Sequence, residues 1–348
     1  MISPVSNTIL EYIWIGGKSE IRSKTKVIPY FLPINLNARP NSIIPEWNYD
    51  GSSTWQADSN GDTEIILKPC AIFKDPFRVI EDADCYLVLC ETVKPTGEPT
   101  ETNHRHYAAR FFENTEEEPW FGLEQEFFFR YYKNEQTNEN NEIIPRGYHY
   151  CGLTQKHDER IIMEQLLQMC IEIGIKISGI NAEVEKNQWE FQIGPSEGID
   201  AGDHMIVARY ILERLAERIE ATIDYQPKPV SNRNGSGCHI NFSTYNTRSE
   251  DGIEYIHKYI EKLEKKHKQH IEVYGENNHL RLTGFHETSS IDKFSWGVGT
   301  RNTSIRIPNQ VFREKYGYFE DRRPAANIDP YQATFKLFQT CCLDEITV

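Results

Sequence analysis

Residues 120–127 read Trp-Phe-Gly-Leu-Glu-Gln-Glu-Phe, and this stretch sets the reading of the rest. It is rich in aromatics and alternates around two carboxylates, so it predicts a strand over Trp120–Tyr132. Residues two apart in a strand point the same way, which places Glu124 and Glu126 on one face. Two adjacent anions repel, and one tends to hold its proton unless cations lie between them. A solvated polar edge is the bland alternative. The flanking Trp120, Phe121, Leu123, Phe127 and Phe128 argue for burial instead, and so for a metal site.

Two further stretches supply partners. In Asn181–Ile193, Glu183 and Glu190 are an odd number of residues apart, so one straight strand would oppose them. Lys186-Asn187 is turn-like, and a hairpin brings both carboxylates to one face. In Asn232–Ser243, Gly235 and Gly237 allow close approach of backbone amides to an anion. His239 opens an alternating strand with Asn241 and Ser243 on its side. A lone histidine there is more often structural, but beside four unexplained carboxylates it reads as a ligand. Positive charge gathers later, at Arg281, Arg301, Arg306 and Arg322-Arg323, close to Glu287, Tyr318 and Glu320. Arginine pairs bidentately with carboxylate and phosphate, which suits phosphoryl transfer. Surface ion pairs are the alternative for any one of them.

Elsewhere the pattern supplies a scaffold. Glu11–Ile15 reads as a strand ending at Gly16-Gly17, with Ser23–Pro29 returning antiparallel; Cys85–Cys90 is another strand, and Glu46–Thr54 reads as a loop. Lys94–Pro99 is dense in turn formers and marks a domain boundary. Asn134–Glu142 reads as a surface loop. Amphipathic helices are expected over Glu159–Gly174 (Ile162, Leu166, Ile173), Asp203–Ile219 with Asp203 as N-cap (Ile211, Leu215, Ile219), and Ile253–Ile271 (Ile256, Ile260, Leu263). Gly16-Gly-Lys-Ser19 mimics a phosphate loop, but the earlier glycine would fall at Tyr12. Any nucleotide phosphates therefore need carboxylate-held Mg2+ or Mn2+.

Composition bounds the rest. The chain has 348 residues, 39% hydrophobic and 12% aromatic, enough for a sizeable core and for two domains, or one large domain with a smaller companion. A formal charge of −14 argues against a nucleic-acid partner. No stretch approaches the roughly 20 apolar residues of a membrane span, and no basic-then-apolar start suggests export. The eight cysteines (Cys70, Cys85, Cys90, Cys151, Cys170, Cys238, Cys341, Cys342) form no C-x-x-C pair and read as reduced thiols of a cytoplasmic protein.

Taken in order, EWNYDGSST (46–54), WFGLEQE (120–126), NAEV and QWEFQIGPSEG (within 181–198), NGSGCHINFST (234–244), RLTGFHET (281–288), TRNTSIRIP (300–308) and GYFEDRRPAAN (317–327) resemble the glutamine synthetase family, in its eukaryotic-type branch. The resemblance implies an α+β fold: a small N-terminal β-grasp-like domain (1–96) and a catalytic domain (97–348) whose curved, mainly antiparallel sheet is flanked by helices. It implies ATP-dependent ligation of ammonia to L-glutamate through a γ-glutamyl phosphate. Glu126, Glu183 and Glu190 would hold one metal, and Glu124, His239 and Glu320 a second, for two or three Mg2+ or Mn2+ per site. Asn232, Asn234, Gly235, His239 and Arg281 would take glutamate, with Arg322 at the reacting end. Arg301 and Arg306 would stabilise the moving phosphoryl group. Glu124, Glu190, Asn241, Phe242, Ser243 and Tyr318 would contact the nucleotide. Asp50 would bind ammonium and take its proton, and Glu287 would sit on a flap that shields the intermediate and would take a proton from the adduct.

The resemblance also implies sites between subunits in two stacked pentameric rings, with no nucleic-acid or membrane partner. A related scaffold joining another amine to glutamate, or a non-catalytic homologue, is the rival; retention of Asp50 and of every expected ligand favours ammonia. One departure stands out. Where relatives usually read Trp-Asn-Gly, this chain has Arg233-Asn234-Gly235. The extra cation either alters glutamate affinity or points outward.

Overall fold

A computed structural model describes residues 7–36, 43–113, 115–132, 148–153 and 157–343. The chain divides into two compact units, the described parts of Met1–Arg110 with Met169–Ile175, and of Phe111–Gln168 with Lys176–Val348. The tract expected as a loop over Asn134–Glu142 lies outside the described residues.

The first unit is built on strands β1 (Asn7–Ile15), β2 (Ile21–Ile28), β3 (Trp47–Asp50), β4 (Glu64–Lys74) and β5 (Ala83–Val93). They form one sheet in the order β2-β1-β5-β4-β3, with β1 and β5 parallel and every other neighbour antiparallel. Leu10, Tyr12, Trp14, Leu67, Tyr86 and Val88 form its buried core. Glu46–Thr54, expected as a loop, is instead strand β3 followed by a 3-10 turn over Gly51–Thr54. Its polar residues hid a strand that alternates. Trp47 packs edge-on against Tyr12 at 5.4 Å and Tyr49 lies 4.7 Å from Trp14, while the intervening Asn48 faces out.

Two helices follow, α1 (His104–Phe112) and α2 (His157–Glu172). The second unit's sheet contains β6 (Trp120–Tyr131), β7 (Ile177–Ala182), β8 (Gln188–Glu197), β9 (Ala221–Asp224), β10 (Cys238–Ser243), β11 (Trp296–Val298), β12 (Ile305–Ile307) and β13 (Phe319–Asp321). Its order is β11-β12-β13-β10-β6-β8-β7, with β9 also paired to β6, and only β11 and β12 run parallel. The sheet is curled, and the fold is α+β as expected. Helices α3 (Asp200–Ala216), α4 (Tyr245–Arg248), α5 (Gly252–Lys265), α6 (His267–Ile271), α7 (Asn309–Glu314) and α8 (Pro330–Cys342) complete the unit.

The alternation of β6 is visible in its burial: Phe121, Leu123, Gln125 and Phe127 are buried, while Gly122, Glu124 and Glu126 face a cleft. On the core side, Phe121 stacks on Phe242 at 5.1 Å and meets Phe112 at 5.7 Å. A bulge interrupts the β6–β8 ladder between Phe121 and Leu123. Opposite it, Gly194 sits at φ +110, and a Cβ there would lie 2.4 Å from the Phe121 carbonyl oxygen, so only glycine fits. Beneath β13, Arg323 grips Asp321 through two donors (2.9 and 2.6 Å), and Tyr274 donates to the same carboxylate at 2.8 Å. Both charged side chains are fully buried.

The helical stripes bury as expected at Ile162, Leu166, Ile211, Leu215, Ile256, Ile260 and Leu263. Three boundaries differ. Asp203 is not an N-cap: α3 begins three residues earlier, and Asp203 is buried within it, accepting from Tyr331 Oη at 2.7 Å. Ile173 and Ile219 fall just beyond α2 and α3. The span Ile253–Ile271 is two helices, broken at Lys266. All eight cysteines are free, although Cys151 is exposed. Among the described residues no helix is long and apolar enough to cross a membrane.

Truncating the central aromatic of the core side tests this packing. Phe121→Ala is expected to lower unfolding stability by about 3–5 kcal/mol in denaturant titration, as for other large buried aromatics; a loss under about 1 kcal/mol would show that the cluster does not carry the sheet.

Candidate active site

The cleft side chains line up in rows across the sheet. Glu124 stands opposite His239 on β10 and Gln192 on β8; Glu126 stands opposite Glu190, which itself faces Asn181. Asn241 stands opposite Glu320 on β13, and Glu320 opposite Arg306 on β12. Side chains of directly opposed residues share a face. The pleat therefore delivers Glu124, Glu126, Glu190, His239, Asn241, Glu320 and Arg306 to one cleft.

Glu183 completes the group from the turn between β7 and β8, where its amide donates to the Gln188 carbonyl at 2.9 Å. The hairpin expected from Lys186-Asn187 is present, with Asn187 at φ +65. Glu183 nevertheless lies one residue past the strand, held by Asn181 Nδ2 at 2.9 Å.

Ligand atoms of Glu124, His239 and Glu320 lie within 4.8 Å of one another. His239 Nδ1 is 3.4 Å from Glu124 Oε2 and 3.5 Å from Glu320 Oε1. Its Nε2 lies 2.9 Å from Arg281 Nη2, which fixes the ring. Burial, reinforced by Arg322, Arg281 and Arg301, pushes the imidazole well below its ordinary value, so the ring is neutral.

The other three carboxyls are displaced upward. Burial lifts Glu126 to about 7. Burial and the Glu126 charge lift Glu183 to about 8. Glu190 is raised well above its usual range by burial and by Glu124, Glu126 and Glu183. Five carboxylates and a neutral imidazole offer hard oxygen and nitrogen donors, and the carboxylates' mutual repulsion is what a divalent cation relieves. The residues fit such an ion.

Around this group, Arg322 donates to Glu320 Oε1 at 2.5 Å and to the Arg301 carbonyl at 3.0 Å, and Arg306 donates to Glu320 Oε2 at 3.1 Å. Arg281 is buried beside them, its guanidinium pulled down to about 10 by desolvation. Gly237 has no room for a side chain, since a Cβ would lie 2.5 Å from Arg281 Nη2 and 2.9 Å from His239 Nε2. Its N–H donates to Glu126 Oε2 at 2.8 Å. Glu287 lies in an exposed turn, with His286 and Glu287 both at positive φ, and its carbonyl is 3.4 Å from Arg322 Nη2.

Next to Glu124 opens a cavity of about 520 Å³, lined by Trp120, Asn241, Ser243, Arg248 and Tyr318. Trp120 and Arg248 were not singled out from the sequence. Arg248 stacks 3.9 Å over the Trp120 ring and donates to Ser243 Oγ at 3.0 Å. Trp120, read from the sequence as one of the aromatics that bury this strand, is exposed instead, because it opens β6 at the mouth of the cavity. Phe242 takes the opposite course: although the residue borders the cavity, its ring is buried against Phe121 and Phe319. Tyr150, also missed, lies in the field of Glu183, Glu190 and Arg301.

A family model described as glutamine synthetase, catalytic domain, matches residues 101–272. A glutamine synthetase of Neurospora crassa is 46% identical over 342 residues, covering 96% of this chain and 91% of its own. The chain belongs to the glutamine synthetase family. A cytosolic glutamine synthetase isozyme of Arabidopsis thaliana is 47% identical over 349 residues, covering 96% of this chain and 94% of its own. A cryoEM structure of Plasmodium falciparum glutamine synthetase matches with a TM-score of 0.71 at 16% identity, covering 97% of this chain and 71% of that one, which supports the fold.

Asp50 belongs to the first unit, at the end of β3. Its carboxylate accepts from Ser53 Oγ at 2.6 Å, Ser52 Oγ at 2.7 Å and Ser52 N at 3.1 Å. These bonds, Ser53 first, hold it down to about 2 although it is exposed.

The raised carboxyls make metal-free stability depend on pH. Glu126 and Glu183 hold protons in the folded chain up to about 7 and 8, against 4.5 unfolded. Their contribution is complete below the unfolded value and is lost as pH climbs through the folded ones. Chelator-treated protein should therefore melt at a lower temperature at about pH 8.5 than at about pH 5.5, and added Mg2+ or Mn2+ should restore it while releasing protons. A melting temperature flat in pH, with no proton release on metal addition, would contradict the assignment.

Proposed function

We propose that this chain is a glutamine synthetase: it joins ammonia to the side-chain carboxylate of L-glutamate at the expense of ATP, through γ-glutamyl phosphate. The observation that carries the reading is the single cleft face shared by Glu124, Glu126, Glu190, His239 and Glu320, with arginines at its rim. Glu126, Glu183 and Glu190 would hold one divalent ion and Glu124, His239 and Glu320 another, Mg2+ or Mn2+. When bound, these ions neutralise the polyphosphate and polarise the γ-phosphoryl group.

The chain's own groups do the rest. The cavity beside Trp120 and Arg248 takes the base and ribose, with Asn241, Ser243 and Tyr318 on its wall. Asn232, Asn234, Gly235 and Arg281 hold the glutamate, and His239 closes that side. Arg322 orients the γ-carboxylate towards the phosphorus, and Arg301 and Arg306 balance the charge that spreads over the transferring group. The acyl phosphate hydrolyses readily in water, so the Glu287 turn serves to exclude it. Asp50, held ionised by two serine hydroxyls, is a strong anion for capturing ammonium. Its low proton affinity means that it takes the proton only as the free amine is consumed.

Within this reading, residues 1–96 form the β-grasp domain and 97–348 the catalytic domain. Each active site combines Asp50 of one subunit with the catalytic domain of the next, in two pentameric rings of a cytoplasmic enzyme.

Purified protein given glutamate, ATP, ammonium and Mg2+ should form glutamine, ADP and phosphate, and Glu190→Ala should abolish this while remaining folded. Turnover with ethanolamine but not ammonium would sink the ammonia assignment. Subunit sharing has its own readout. Asp50→Ala and Glu190→Ala proteins, each inactive, should recover about a quarter of full activity when unfolded, mixed equally and reassembled. No recovery would place Asp50 in its own subunit's site.

A further inference from the structure

The departure at Arg233 has a partner. Arg233 Nη1 lies 3.3 Å from Glu185 Oε2, and the other oxygen of that carboxylate accepts the backbone N–H of Asn234 at 3.1 Å. Glu185 belongs to the turn that carries Glu183, and its side chain is only 14% exposed against 59% for Arg233. A second tie runs alongside. The buried Gln188 accepts from Glu185 N at 3.2 Å and donates to the Gly235 carbonyl at 3.0 Å. Lys228 Nζ donates to the Arg233 carbonyl.

These bonds account for the amides of the glycine-rich loop one by one. Asn234 N–H goes to Glu185, Ser236 N–H to the Pro227 carbonyl at 3.0 Å, and Gly237 N–H to Glu126. Among the described residues, Gly235 N–H alone of the four meets no acceptor. A loop pinned on both sides of one free donor is pre-set to meet an anion.

We propose that Glu185 is a positioning residue for glutamate. It clasps the 232–235 loop to the metal-site turn so that Gly235 N–H is presented to the substrate, and Arg233 secures the clasp. This rests on the glutamate role of the loop given above. Arg233 is then neither a direct substrate contact nor an idle surface charge. Its pairing is half exposed and worth little by itself; the greater part of the effect comes from the part-buried hydrogen bond from Asn234 N–H.

Two measurements on full-length protein decide it. In hydrogen exchange, Glu185→Ala should speed exchange of the Asn234 amide by about tenfold or more with strand β10 unchanged, whereas Glu185→Gln, whose amide oxygen still accepts, should keep most of the protection. In steady-state kinetics, Glu185→Ala should raise KM for glutamate about tenfold with KM for ATP within about twofold, Arg233→Ala should give a rise of about threefold or less, and Glu185→Gln should restore most of the loss. Unchanged Asn234 exchange in Glu185→Ala overturns the clasp. Faster exchange with equal rises in both KM values overturns its role towards glutamate. Should the unaltered protein make no glutamine, the functional reading fails on its own, and the exchange result still decides whether the clasp exists.

Discussion

Like charges forced together on one face of a curled sheet are the constraint on which the rest of this structure depends. Strand pairing leaves Glu126 no choice but to face Glu190, and Glu124 stands one pleat away opposite His239. Three of the carboxyls respond by holding protons far above their ordinary range. A fold stabilised only by its own contacts would not place acids this way. The arrangement makes sense as a site whose favourable state includes cations, with the surrounding arginines held ready for anions.

Those arginines are restrained before any ligand arrives. Arg281 reaches His239 and the carbonyls of Arg322 and Arg323, Arg322 spans Glu320 and the Arg301 carbonyl, and Arg306 leans on Glu320. Guanidinium groups held by fixed acceptors lose little further freedom when a carboxylate or phosphate enters. The glycine loop follows the same principle with backbone donors, tied on each side of Gly235.

Much of this was legible in the sequence because strand periodicity is local. The two-residue spacing of Glu124 and Glu126 and the strand opened by His239 needed only the pleat, and the odd spacing of Glu183 and Glu190 correctly called for a hairpin. What escaped depended on non-local neighbours. Strand β3 became a strand only because Tyr12 and Trp14 offered its aromatics a surface. Asp203 looked like a cap until Tyr331, distant in sequence, supplied a buried partner. Phe242 lay between two residues assigned to the nucleotide, yet the same alternation that exposes them turns its ring into the core. Arg233 could not be placed from sequence because its partner is in another turn.

The three-residue strand β13 has a consequence beyond its contacts. Glu320 turns to the cleft, and the next residue, Asp321, turns to the interior, where Arg323 and Tyr274 enclose it. Sliding the strand by one position would exchange the two faces and strand a carboxylate without its donors. So short a strand has few ladder bonds with which to resist slipping, and the buried ion pair acts as its detent. Mutations at Asp321 or Arg323 would thus be read as catalytic defects although neither side chain faces the cleft, and attempts to stabilise this region by making that pair apolar would remove the indexing that keeps the chemistry aligned.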